Sequence, residues 1–239
     1  MALLSVNVNK IALLRNSRGA DFPNVLKVSQ DLVNCGADGI TIHPRPDERH
    51  IKYEDAYILK EALDVELNIE GYPTEDFLNM VCEVKPAQCT LVPDPPEALT
   101  SSAGWDCRNN IEFLQGVTQR LRQNGVRSSI FLNPDPEQVS YAVDCGTDRI
   151  ELYTEGYASS YGQKNQAELF AWYKNTAEIA TKAGLGVNAG HDLNLENLAF
   201  FDQHISGLLE VSIGHALVVE MLYEGMETVI GKYKEILQG

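Results

Sequence analysis

The sequence has 239 residues, of which 44% are hydrophobic, and Asp and Glu outnumber Lys and Arg by 34 to 19. The hydrophobic fraction excludes a mainly disordered chain, and the formal charge of −15 argues against binding to nucleic acid or to an anionic membrane. No apolar run approaches the roughly 18 residues that cross a bilayer, and the N-terminal segment shows no secretory signal pattern. The five cysteines form no C-x-x-C pair, which argues against a disulfide framework and a structural zinc site.

Short β-branched segments alternate with longer segments of helical period along the chain. The former predict eight strands, near 3–8, 38–42, 66–70, 88–92, 127–132, 147–153, 185–189 and 207–213. The latter predict helices near 23–35, 52–63, 74–84, 108–124, 136–144, 165–183 and 194–203, with a last helix or pair in 215–238. This alternation implies parallel strands, so we predict an α/β fold, a (β/α)8 TIM barrel forming one domain over residues 1–239.

Two of the loops that lead from a strand to a helix are longer than a plain barrel requires. They precede the predicted helices near 108 and 165, and we expect extra helices or functional loops in them. The first of these loops, 93–107, contains Ser101, Ser102 and Gly104, and we predict that it closes over the site as a lid.

Polar residues follow most of the predicted strands, at the end of the barrel where active sites of this fold lie. They are Asn7, Asn9 and Lys10 after strand 1, His43, Arg45, Arg49 and His50 after strand 2, Glu70 in strand 3, Thr100 in the fourth loop, Glu151 in strand 6, His191 and Asp192 after strand 7, and Gly214 and His215 after strand 8. Four of the five histidines fall on this one rim, which predicts an active site there.

The direction of the two strand carboxylates stays open from the sequence. If Glu70 points into the barrel, burial would raise its pKa toward a range useful for a general base. If it points outward, it would meet a helix instead. The same alternatives hold for Glu151.

A local group of basic residues is unexpected in so acidic a chain. Its members, in the first two βα loops, are Lys10, Arg15, Arg18, Arg45 and Arg49. This group predicts a site for an anionic small molecule such as a phosphate ester, although surface ion pairs could account for some of it. Gly214 and His215 open a helix after strand 8, where backbone N–H groups can hold a second phosphate.

Three other functions stay open on these residues alone. One is a different lyase or isomerase acting on a sugar phosphate, although no strand interior contains the Lys that a Schiff-base aldolase needs. A second is a metal-dependent barrel with His43, Glu70, Glu151 and His191 as ligands. The third is a non-catalytic barrel that binds a phosphorylated metabolite.

Taken together, these segments resemble the pyridoxine 5′-phosphate synthase family nearly from end to end. The most specific are VNVNKIALLRNSRG (6–19), CGADGITIHPRPDERHI (35–51), LNIE (67–70), LVPDPPEALTSSAGWD (91–106), VNAGHDLN (187–194) and IGHALV (213–218). The resemblance implies condensation of 1-deoxy-D-xylulose 5-phosphate with 3-amino-2-oxopropyl phosphate, giving pyridoxine 5′-phosphate, phosphate and water. It also implies that no metal or organic cofactor is used, and that the protein assembles as a cytoplasmic homo-octamer.

Carried over by motif, the resemblance also implies a role for each rim residue. His43 and Glu70 would accept protons, His191 would donate one, and Glu151 would stabilise a transition state. The residues implied to bind the amino-ketone phosphate are Asn7, Arg18, Gly214 and His215, and those implied to bind the deoxyxylulose phosphate are Arg45, His50 and Thr100.

Two positions depart from the family pattern. Better-known members carry Asp-His where this chain has Asn9-Lys10, so an Asp or His side-chain role does not transfer, and Lys10 is expected to meet a phosphate instead. Those members carry Gly where this chain has Asp192, which keeps a backbone contact and adds a charge that would hold His191 protonated.

Overall fold

The computed structural model describes residues 1–94 and 103–239. Within them, eight parallel strands close into a barrel in chain order, with β8 pairing back onto β1. The strands are β1 (Leu3–Asn7), β2 (Gly39–Ile42), β3 (Glu66–Gly71), β4 (Gln88–Leu91), β5 (Arg127–Leu132), β6 (Arg149–Tyr153), β7 (Gly186–Gly190) and β8 (Leu208–Ile213). The predicted (β/α)8 barrel is confirmed, and each strand overlaps its predicted segment.

Helices follow the strands around the outside of the barrel. They are α1 (Asn9–Asn16), α2 (Val25–Asn34), α3 (Tyr53–Ala62), α4 (Glu75–Val84), α5 (Ile111–Gln123), α6 (Pro136–Asp144), α7 (Glu155–Ser160), α8 (Gln166–Lys182), α9 (Leu198–His204), α10 (His215–Glu224) and α11 (Met226–Gln238), with a 3₁₀ turn at Arg108–Asn110. The extra helix expected before residue 165 is α7, and the last segment is the pair α10 and α11. The described helices include none long and apolar enough to span a bilayer.

Helix α1 is the element that the sequence prediction missed. It has eight residues, and its N-cap, Val8, makes no capping hydrogen bond through its side chain. By contrast, Thr74 and Asp135 begin α4 and α6 by accepting hydrogen bonds from backbone N–H groups, as their sequences suggest. Because Val8 is not a typical N-cap residue, the sequence there does not indicate where α1 begins.

The strand register brings polar side chains together inside the barrel. The Ser5 and Thr41 hydroxyls lie 2.7 Å apart, and Asn68 donates to Thr41 at 3.4 Å. Thr90 in turn donates to the side-chain oxygen of Asn68 at 3.1 Å. Because side chains alternate along a strand, the neighbouring residues, such as Leu4, point outward and are buried beneath the helices. The apolar core therefore lies between the strands and the helices.

Candidate active site

The C-terminal rim of the barrel gathers most of the residues expected there. The structure brings together Asn7, Asn9, His43, Arg45, His50, Glu70, Glu151, His191, Asp192, Gly214 and His215. Thr100 and the serines of the expected lid lie outside the described residues. Arg18 lies on the exposed turn that follows α1, and the described contacts at the rim do not include it.

Glu70 and Glu151 both reach into the barrel, which settles the direction that the sequence left open. The Asn7 amide nitrogen on β1 lies 3.4 Å from a Glu70 oxygen on β3, two strands away. Thr90 on β4 donates to Glu151 on β6 at 3.3 Å, again across two strands. Because these strands are not neighbours, the contacts can form only through the barrel interior.

Both carboxyls hold their protons more tightly than carboxyls in water. Burial raises the pKa of Glu70 to about 7, even though His191 opposes the shift. Burial also raises the pKa of Glu151 well above its usual value, and the nearby Glu70 and Glu210 add to the effect. At neutral pH, Glu70 is therefore poised to exchange a proton, while burial favours the protonated form of Glu151.

The site depends on close backbone packing beneath these carboxyls. A side chain at Gly190 would place its Cβ 2.3 Å from a Glu151 oxygen. A side chain at Gly214 would place its Cβ 3.0 Å from that of Asn7. Glycine is therefore required at Gly190 to leave room for the Glu151 carboxyl.

His43 is held as a neutral imidazole. It is only 8% exposed, and burial lowers its pKa well below the usual value, reinforced by the charges of Arg45, His50 and Arg49. The His50 ring meets it edge-on at 6.2 Å between centroids. Burial and the same arginines lower the pKa of His50 to about 4. Both imidazoles can therefore accept protons at neutral pH.

The pKa of His191 is raised, whereas that of His43 is lowered. Burial acts to lower its pKa, but the hydrogen bond to Asp192 and the charges of Asp192, Glu70 and Asp94 outweigh burial and raise the pKa. The Nδ1 atom of His191 lies 2.9 Å from an Asp192 carboxylate oxygen. The ring packs edge-on against Tyr153 at 5.4 Å, and its backbone takes a positive φ of 90°. These contacts favour the cationic form of the partly exposed His191.

The five basic residues that the sequence analysis grouped together have different roles in the structure. Arg15 is buried in a bidentate ion pair with Asp55, with hydrogen bonds of 2.6 and 2.9 Å, so it is a structural residue. Lys10 lies exposed on α1 rather than in a loop, where its charge acts on His50. Arg45 stays at the site, and its guanidinium lies 4.0 Å from the buried Asp94 carboxylate.

Two residues of the site, Asp94 and Thr90, and one contact of the predicted residue Asn9 were not expected from the sequence. Asp94 pairs with Arg45, and its charge acts on His191. It could have been noticed as an acid three residues after a strand. Thr90 donates a hydrogen bond to Glu151. The alternation of polar and apolar residues in β4 could have indicated that Thr90 points into the barrel. The contact of the Asn9 side chain with His43 carried no sequence signal, because it joins residues 34 positions apart.

The described residues include no group of three or more His, Cys, Asp or Glu side chains arranged to hold a metal ion.

Solved structures at low sequence identity share the fold. A 3-keto-L-gulonate-6-phosphate decarboxylase from Vibrio cholerae superposes with a TM-score of 0.67 at 10% identity, covering 99% of this chain and 97% of its own. A mutant tryptophan synthase α-subunit from Pyrococcus furiosus gives 0.64 at 14% identity, covering 100% and 98%. At these identities the likeness supports the barrel alone.

Sequence relatives are far closer. The pyridoxine 5′-phosphate synthase of Flavobacterium johnsoniae is 54% identical over 240 residues, covering 100% of both chains. That of Parabacteroides distasonis is 52% identical over 237 residues, covering 99% of both. The model of the family described as pyridoxal phosphate biosynthesis protein PdxJ matches residues 4–239. With a match over nearly its whole length and relatives more than half identical, this chain belongs to the PdxJ family.

Proposed function

We propose that the protein forms pyridoxine 5′-phosphate from 1-deoxy-D-xylulose 5-phosphate and 3-amino-2-oxopropyl phosphate, releasing phosphate and water. One observation carries the proposal. A carboxyl with a pKa of about 7, an imidazole whose pKa is lowered and an imidazole whose pKa is raised surround the same barrel mouth, at Glu70, His43 and His191. Closely related chains carry the name of this activity.

The chemistry explains why several acids and bases are needed. Imine formation, dehydration, loss of phosphate and ring closure each move protons at different atoms of the substrates. In this scheme His43 and Glu70 accept protons and His191 supplies one, each matched to its protonation state at neutral pH. Glu151, held protonated by burial, donates a hydrogen bond to oxygen as negative charge develops there.

Two phosphorylated substrates need two places for their phosphate groups. The first site lies at the start of α10, where the backbone N–H groups after Gly214 face the rim beside Asn7, and we assign the amino-ketone phosphate to it. Arg18 is assigned to the same phosphate from the family pattern. Asp192 is bonded to His191, and the charge of His215, the first residue of α10, also acts on it.

The second phosphate site is assigned to the β2–α3 loop. Arg45 offers a planar guanidinium suited to phosphate oxygens, and His50 lies against His43 beside it. Lys10 adds a cation from α1. Thr100 is assigned to the deoxyxylulose phosphate from the family pattern.

The test is a turnover assay with both substrates in the presence of EDTA. Formation of pyridoxine 5′-phosphate and phosphate in equal amounts is the expected result, and no added metal or organic cofactor should be needed. Folded protein that binds either substrate but yields no product would favour a non-catalytic barrel. Activity abolished by EDTA and restored by a divalent metal would favour a metal-dependent enzyme.

We also propose that the chain assembles with copies of itself, as a cytoplasmic homo-octamer of the family type. Helix α10 supports assembly because Leu222 and Tyr223 are 77% and 84% exposed on it, unusual for large apolar side chains. Replacing Leu222 by Glu should lower the mass measured by light scattering without loss of helical circular dichroism. An unchanged mass would show that α10 lies outside the subunit interface.

A further inference from the structure

The two proposed proton acceptors are joined by a short chain of hydrogen bonds through two asparagines. Glu70 accepts from the Asn7 side-chain nitrogen at 3.4 Å. The Asn7 side-chain oxygen accepts from the backbone N–H of Asn9 at 3.1 Å, which fixes which way the Asn7 amide faces. The Asn9 side-chain oxygen accepts from the backbone N–H of His43 at 2.9 Å. Hydrogen bonds from the end of β1 and the start of α1 therefore connect this segment to Glu70 on β3 and to His43 after β2.

The Asn9 oxygen is thus engaged with the protein. His43 follows β2 at the barrel mouth, where its backbone N–H has left the strand ladder and needs an acceptor. Asn9 supplies that acceptor from the first residue of α1, and so holds the segment that carries the imidazole.

The charges that face His43 come from several elements. Its own loop contributes the cationic side chains of Arg45 and Arg49 and the imidazole of His50, all of which oppose a positive charge on His43. Helix α1 contributes Lys10, whose charge acts on His50. The carboxylates in the neighbourhood are Asp47 and Asp94, which act on Arg45, and Glu70 on β3. An Asp at position 9, as in better-known relatives, would add a carboxylate beside His43, whereas Asn9 adds none.

We propose that Asn9 is a positioning residue, which fixes the His43 backbone through its side-chain oxygen and adds no negative charge beside the imidazole. The role rests on the proposed function, in which His43 accepts a proton. In this role, the Asn at position 9 favours the neutral form of the His43 imidazole, which an Asp at that position would not. The Asn9 side chain then binds His43 and not the substrate.

The test uses two substitutions that separate the hydrogen bond from the charge. Asn9→Asp keeps an oxygen for the His43 N–H and adds a carboxylate. The acidic side of its kcat/KM profile should steepen at a higher pH than in the wild type, because protonation of His43 then adds to that of Glu70 earlier as the pH falls. Asn9→Ala removes the oxygen and should lower kcat at all pH values by about tenfold to a hundredfold, with a smaller change in KM.

A matched control is Asn24→Asp. Asn24 also accepts a hydrogen bond from a backbone N–H through its side-chain oxygen, that of Lys27 at 2.8 Å, but on the surface at the start of α2. This variant makes the same chemical change away from the rim, and its pH profile should superpose on that of the wild type.

A second readout does not depend on activity. Histidine-selective NMR of the wild type and Asn9→Asp should show one imidazole titrating at higher pH in the variant, and loss of that signal in His43→Gln assigns it. If neither protein makes product but this shift appears, the proposed function fails and the Asn9 contact stands. An active Asn9→Asp enzyme with an unshifted profile and an unshifted His43 signal would overturn the role of Asn9, as would an Asn9→Ala enzyme with wild-type kcat.

Discussion

His43 and His191 occupy the same barrel rim, yet their surroundings drive their protonation in opposite directions. His43 is enclosed among cationic side chains, so its neutral form is favoured. His191 is bonded to Asp192 and faces the charges of Glu70 and Asp94, so its cationic form is favoured. The two surroundings therefore favour opposite protonation states of the same residue type, which suits a reaction with several proton transfers.

Replacing Asp192 by Asn should narrow the pH range of activity from its alkaline side. Without the carboxylate, the pKa of His191 falls, and the proton donor is lost at a lower pH as the pH rises. The alkaline limb of the kcat profile should therefore move to lower pH, with the acidic limb unchanged. A profile with an unmoved alkaline limb would show that Asp192 does not tune His191.

At the scale of elements, the barrel could be predicted because each strand and most helices carry their own periodic pattern and turn residues. Helix α1 could not, since it follows β1 directly and its N-cap residue, Val8, makes no side-chain hydrogen bond. Because α1 was not predicted, Lys10 and Arg15 were expected in a loop, whereas both lie on this helix. The burial of Arg15 against Asp55, 40 residues away, is a tertiary contact that no local pattern encodes.

The rim residues could be located because the fold places strand ends together, whichever residues they carry. Their chemistry could be predicted only in part. The residue types suggested acids and bases, but the inward direction of Glu70 depends on strand register, and the raised pKa depends on burial. Asp94 was overlooked because its partner Arg45 lies in a different loop.

The packing of β7 against β6 provides a test at this scale. A methyl group at Gly190 would lie 2.3 Å from a Glu151 oxygen, so Gly190→Ala should displace the carboxyl and lower kcat by about a hundredfold. Gly116→Ala is the control, because a methyl group on that exposed position of α5 meets nothing within 4 Å. The control should retain kcat and gain about 0.5–1 kcal/mol of stability. Equal kcat values in the two variants would contradict the tight packing around Glu151.

At the scale of the whole molecule, the barrel interior is polar and titratable along its length. Beneath Glu151 lies Glu210, 5% exposed, whose carboxylate is 3.3 Å from Arg149. Burial outweighs this ion pair and raises the pKa of Glu210 to about 6. The folded protein therefore keeps a proton on Glu210 over a range in which the unfolded chain releases it.

This difference makes stability depend on pH. Because the folded state binds the extra proton, Glu210 costs stability as the pH rises from about 4.5 to 6, by about 2 kcal/mol in total at 1.36 kcal/mol per pKa unit. Glu210→Gln removes this contribution. Urea unfolding should show that the variant gains stability relative to the wild type between pH 4.5 and 7.5. A difference that stays constant over this range would contradict the burial of an ionisable Glu210.

The proposed chemistry depends most directly on Glu70, whose pKa burial raises to about 7. The decisive measurement is kcat for pyridoxine 5′-phosphate formation by Glu70→Gln, with circular dichroism to confirm that the barrel is folded. A general base of this kind contributes about a hundredfold to ten-thousandfold, so kcat should fall by that factor while substrate binding is largely retained. A kcat within a few-fold of the wild type would contradict the assignment of proton transfer to this carboxyl, and with it the proposed mechanism.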